Sequence, residues 1–295
     1  MAKTSGFPKF WPAVLLLLIA SIAQFILSVV VMIGAATMTS LLQAEKMMQH
    51  PAVLGVINLL VFGAASWVGF ALARRPVADV FPLRRVSVTV LLLGMLATCG
   101  LQILLSDFDN LVRIFCPPPE WLDRLFDSLS SGNTNLWASI FTLSIVAPLT
   151  EECLFRGVIL QGFRRHYRIL PAVLLSSLLF AIIHLNPWQM SGAFLLGLLF
   201  GWLTVATGSL LPGICGHATA NSLPWLLGLL KLNALLPGLV NQNVGKVIFQ
   251  PWWLDLGAAV TCAISLLLLR RLLRRPSEVV ADTGEAQTLE NACGG

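Results

Sequence analysis

Glu151, Glu152 and Arg156 stand together in an otherwise apolar stretch, and His184, His217 and Asn221 follow in further apolar stretches. Carboxylates and imidazoles move protons near neutral pH, and imidazole and amide N–H groups can donate to developing negative charge. A set of this composition can activate a water and protonate a leaving group. The same residue types relay protons in transporters, and a buried ion cluster can also simply hold helices together.

The positions are costly. Fifteen uncharged residues run from Leu136 to Thr150 before Glu151. An ionised side chain at the centre of a spanning helix costs about 2.5–3.5 kcal/mol. A sequence that keeps three of them needs a reason, which by default is functional. Helical spacing then separates the three. Glu152 and Arg156 are i,i+4 and share a face, so they can pair. Glu151 is rotated by about 100°, has no cation on its own helix, and must face another part of the bundle. Phe180 and His184 share a face by the same spacing, as do His217 and Asn221. Glu151 lies 13 residues from the turn at Arg164 and His184 lies 14 from Leu170, about 20 Å each at 1.5 Å per residue. They are therefore expected at matching depth on antiparallel neighbours. His217 is expected shallower, unless the uncharged turn at 207–209 sits deep in the protein.

The elements that position these residues are membrane spans. The chain has 295 residues, 57% hydrophobic and 11% charged, against about 25% charged in soluble domains. Lipid must be its main solvent, and an all-α, polytopic fold with about eight transmembrane helices is expected. The candidate spans are 11–39, 53–73, 86–105, 136–163, 170–185, 190–206, 210–230 and 252–269. The first run is too long for a cleavable signal, so it reads as a retained span. With the N-terminus inside, the inner segments hold 13 of the 19 basic residues: Lys3, Lys9, Arg74, Arg75, Arg84, Arg85, Arg164, Arg165, Arg168, Arg270, Arg271, Arg274 and Arg275. Both termini are therefore expected in the cytoplasm. Basic residues in short clusters between apolar runs are topology signals and exclude a nucleic-acid partner. The six cysteines form no CxxC pair and read as small apolar side chains. An interfacial helix is expected over 117–130 and a disordered tail over 276–295.

Glu151-Glu152-x-x-x-Arg156, Phe180-x-x-x-His184 and His217-x-x-x-Asn221, in this order and membrane setting, resemble the CPBP intramembrane protease family. That family includes CAAX prenyl endopeptidases and proteins linked to bacteriocin processing or immunity. The resemblance covers about 148–224. It implies a catalytic core at 136–230 with four spans, preceded by a variable part at 1–135 and followed by an outer loop and last span at 231–275. It implies an intramembrane peptidase in a bacterial cytoplasmic membrane, acting on a membrane-associated or lipidated peptide. Glu151 would activate water and His184 would orient it. His217 and Asn221 would serve the oxyanion, and Glu152, Arg156 and Phe180 would support the site. No cofactor is favoured. Without an HExxH motif, zinc is the alternative, held by Glu151, His184 and His217. A non-catalytic scaffold or immunity-type protein and a proton-coupled transporter stay open.

Overall fold

The computed structural model describes residues 6–119, 136–230 and 247–274 and positions 232, 236, 238 and 239, with the side chains of Leu136 and Gly228 outside that set. The described residues form helices and no strand. The helices are α1 (Phe10–Met38), α2 (Leu41–Met48), α3 (Pro51–Ala73), α4 (Val77–Val80), α5 (Val88–Phe115), α6 (136–163), α7 (Ile169–Ile182), α8 (Pro187–Thr207), α9 (Leu211–Leu229) and α10 (Trp252–Leu273). The expected interfacial helix and the C-terminal tail lie outside the described residues, apart from the prolines at 117–119.

Several helix ends fall where the sequence supplies the chemistry. Ser87 accepts from the backbone N–H of Val90 at the start of α5, and Asn186 accepts from Trp188 at the start of α8. Pro51 and Pro187 occupy first turns, where a missing N–H costs nothing. Gly208 ends α8 at φ 63°, a left-handed conformation that glycine adopts without strain.

The chain is an all-α polytopic membrane protein. Among the described residues, six helices (α1, α3, α5, α6, α8 and α10) are long and apolar enough to cross a membrane. The expected fifth and seventh spans exist as α7 and α9 but fall outside that set. With 14 residues, α7 reaches only about 21 Å at 1.5 Å per residue, short of a bilayer core of about 30 Å. In α9 the apolar run is diluted by His217, Asn221, Ser222 and Pro224. The third span is longer than expected and runs on to Phe115, ten residues beyond position 105.

Burial grades the helices. Half of the spanning window of α6 is buried, against 17% for α1. The polar helix therefore lies at the centre and the apolar one at the lipid boundary, where exposed leucines carry no penalty. α6 packs against α3, α7 and α9, while α5 holds α9 and α10, and α7 pairs with α8. The turn between α8 and α9 is buried, with Ser209 at 0% and Leu210 at 1% exposure. It bridges to the segment at Leu83, and Leu210 N–H donates to the Pro82 carbonyl. His217 stands level with the glutamates, since its ring nitrogens reach both of them.

Candidate active site

Glu152 is fully buried, and its Oε1 accepts from Arg156 Nη1 at 2.8 Å. The i,i+4 pair expected from the sequence is therefore formed. Arg156 is 1% exposed. Its second nitrogen donates to the Gly197 carbonyl at 3.3 Å, and its guanidinium lies 4.4 Å over the Phe180 ring and 5.6 Å from that of Phe200. Hydrogen bonds and two aromatic faces replace the water this cation gave up.

His217 joins the two glutamates. Its Nδ1 donates to Glu152 Oε1 at 3.0 Å, and its Nε2 lies 3.8 Å from Glu151 Oε2. The ring stacks on Phe200 (5.6 Å between centroids, 19° between planes) and meets Phe180 edge-on at 5.6 Å. The imidazole is thus held by a carboxylate at one end and by aromatic rings along its faces. Glu151, rotated off the Glu152 face, finds its partner on α9. Its side chain is 13% exposed, whereas that of Glu152 is 0%, so Glu151 is the carboxylate that a substrate or water can reach.

His184 lies two residues beyond the end of α7 rather than inside a span, because the helix stops at Ile182 and Leu185 takes φ 50°. It still packs on Phe180, at 5.0 Å between centroids. A carbonyl can only accept, so the 2.7 Å contact between His184 Nδ1 and the Phe180 carbonyl makes Nδ1 an N–H donor, and in the neutral ring Nε2 is then the acceptor. Phe180 is thus shared by Arg156, His184 and His217. Asn221 turns one N–H to the Leu143 carbonyl at 2.9 Å, tying α9 to α6 and leaving its second N–H for other use.

Two widened π turns in α6, Thr142–Val146 and Cys153–Ile159, flank the piece that carries both glutamates, Ala147–Glu152. Such turns free carbonyls and recur at functional sites. Pro148 has no N–H to give, and the Leu143 carbonyl five residues before it is met by Asn221. In the second turn Ser176 donates to the Phe155 carbonyl at 3.0 Å and Gln161 to that of Arg156 at 3.0 Å. Sequence reading did not identify these turns, nor Phe200, Ser176 or Gly213. A Cβ on Gly213 would stand 2.8 Å from Glu152 Oε2. The one available signal was that Gly213 lies four residues before His217, on the same face.

Among the described residues, no three His, Cys, Asp or Glu side chains are grouped to hold a metal ion. Glu151 and His217 approach each other, but the Phe180 ring packs against both His184 and His217. Both histidines nevertheless bond through Nδ1 and leave Nε2, which is also the pattern of an imidazole metal ligand.

No solved structure matches this chain. An uncharacterized 24.3 kDa protein of Escherichia coli is 33% identical over 117 residues, which is 38% of this chain and 53% of that protein. The chain thus spans about half the length of the curated relative it matches. All seven residues singled out from the sequence lie within 133–223, and that segment matches the family of the Type II CAAX prenyl endopeptidase Rce1-like proteins.

Proposed function

We propose that the protein is an intramembrane endopeptidase that hydrolyses a peptide bond of a membrane-associated or lipidated protein without a metal, both termini lying in the cytoplasm. The observation that carries this reading is the clamped imidazole: His217 bonds Glu152 through Nδ1 and presents Nε2 to the more accessible Glu151, at 3.0 and 3.8 Å.

Glu151 takes a proton from the attacking water, and the free Nε2 of His184 orients that water. The hydroxide adds to the scissile carbonyl, whose oxygen becomes negative. The second N–H of Asn221 donates to that oxygen. With its Nδ1–H committed to Glu152, His217 donates through Nε2 only when it holds a second proton, and Glu151 is placed to supply it. The proton then passes to the leaving amine as the C–N bond breaks. Contacts of 3.8 Å in a substrate-free site shorten when the substrate binds. Glu152 and Arg156 hold the imidazole in place and exchange no proton with the substrate.

The test is a peptide-library digest by detergent-purified wild type and Glu151→Gln, with zinc content measured on the same samples. The variant keeps shape but cannot accept a proton, so turnover should fall by about 10²–10⁴-fold with an unchanged melting temperature. Near-wild-type turnover would exclude Glu151 as the base. Stoichiometric zinc, with activity lost on chelation and restored by the metal, would overturn the metal-free mechanism.

A further inference from the structure

Away from the polar centre, a furrow runs between the C-terminal ends of α8 and α10, lined by Trp202, Ala206, Leu266, Arg270, Leu273 and Arg274. Trp202 and Ala206 are four residues apart on α8. Leu266, Arg270, Leu273 and Arg274 are spaced 4, 7 and 8 residues from the first, on one face of α10. Trp202, Leu266 and Leu273 are partly buried against a core cluster that includes Leu203 and Leu269. The walls are therefore fixed by packing.

The furrow has two chemically different ends. Leu266, Ala206 and the Trp202 ring make an apolar wall, and Arg270 and Arg274 follow one and two turns on, where the apolar run of α10 stops. Both arginines are exposed, and among the described residues neither has an ion-pair partner. No Asp or Glu occurs in 196–210 or in 256–274, the stretches that build it. We propose that this furrow is a binding site for one anionic phospholipid, its phosphate held by Arg270 and Arg274 and one acyl chain laid along Leu266, Ala206 and Trp202. Guanidinium groups pair with phosphate through two parallel N–H donors. Tryptophan favours the headgroup level, where its ring is half in hydrocarbon. A zwitterionic lipid brings its own cation toward the two arginines, and a free phosphate ion leaves the apolar wall uncovered. This assignment is independent of the peptidase reading.

Native mass spectrometry of the full-length protein in detergent, titrated with dioleoylphosphatidylglycerol, dioleoylphosphatidylcholine or inorganic phosphate, tests it. Wild type should retain one phosphatidylglycerol about tenfold more tightly than phosphatidylcholine, and inorganic phosphate should not displace it. Arg270→Gln/Arg274→Gln should abolish that preference. Ala206→Leu, which fills the apolar wall and keeps both charges, should weaken retention of either lipid. Arg165→Gln/Arg168→Gln, removing equal charge elsewhere, should leave binding unchanged. The site is overturned if Arg270→Gln/Arg274→Gln keeps the preference, if the Arg165/Arg168 variant loses it equally, or if phosphate displaces the lipid. Should the Arg270/Arg274 variant fail to fold, Ala206→Leu decides: wild-type retention there also overturns the site.

Discussion

Two adjacent glutamates carry different duties because one residue step on a helix turns a side chain by about 100°. Glu152 faces Arg156 and the interior, while Glu151 faces His217 with part of its carboxylate accessible. Truncating Arg156 leaves the carboxylate of Glu152 buried and short of a cation, which costs about 3–5 kcal/mol in a buried pair. Arg156→Met should therefore lower the melting temperature in detergent and the yield first, with activity following in proportion to folded protein. Thermal melting and cleavage rate, measured together on Arg156→Met and Glu151→Gln, separate the two duties. If Arg156→Met is stable but inactive while Glu151→Gln unfolds, the duties assigned to the two faces are reversed.

At the scale of the element, α6 is not a uniform helix. Each widened turn inserts an extra residue and so changes the direction of every side chain beyond it relative to a regular helix. Asn221, Ser144 and Ser222 secure the first of these turns: Asn221 reaches the Leu143 carbonyl at 2.9 Å and Ser222 reaches Ser144 at 2.7 Å. Pro148 keeps that turn open by withholding an N–H. Pro148→Ala restores the donor and removes the ring that crowds the carbonyl four residues back, so the new N–H can bond Ser144 and let the turn close toward regular geometry. Proline inside a helix costs about 3 kcal/mol, so the melting temperature should hold or rise. Turnover should fall, because the glutamates are re-aimed away from His217. Unchanged turnover in Pro148→Ala would show that the widened turn does not set the direction of Glu151.

For the molecule as a whole, the buried helix is the polar one. α6 sits among α3, α7 and α9 while the apolar α1 lines the boundary with lipid. This inverts the soluble pattern, because lipid removes the reason to hide leucine and sharpens the reason to hide charge. Basic residues then decide which way the bundle faces. Reporter fusions after Arg75, Arg165 and Arg275 should all read cytoplasmic and one after Ser128 should read external. An external reading at Arg165 would overturn the orientation and move the polar centre to the opposite leaflet.

The sequence by itself determined the solvent, the helical class, and the pairings of side chains four residues apart on one helix face. Glu152–Arg156 and Phe180–His184 were legible because 3.6 residues per turn fixes which side chains share a face. The resemblance identified the same residues by motif. Contacts between helices depend on rotation and register, which packing sets and no local rule contains. Only the tertiary structure brought His217 onto both glutamates, placed Phe180 against both histidines, and committed one Asn221 donor to Leu143. Gly213 and Gly197 show why. A side chain on Gly213 would press on Glu152, and one on Gly197 would stand 3.3 Å from Arg156 Nη2. The close approach of α8 and α9 that builds the site depends on residues without a side chain, and these carried no chemistry for the sequence to announce.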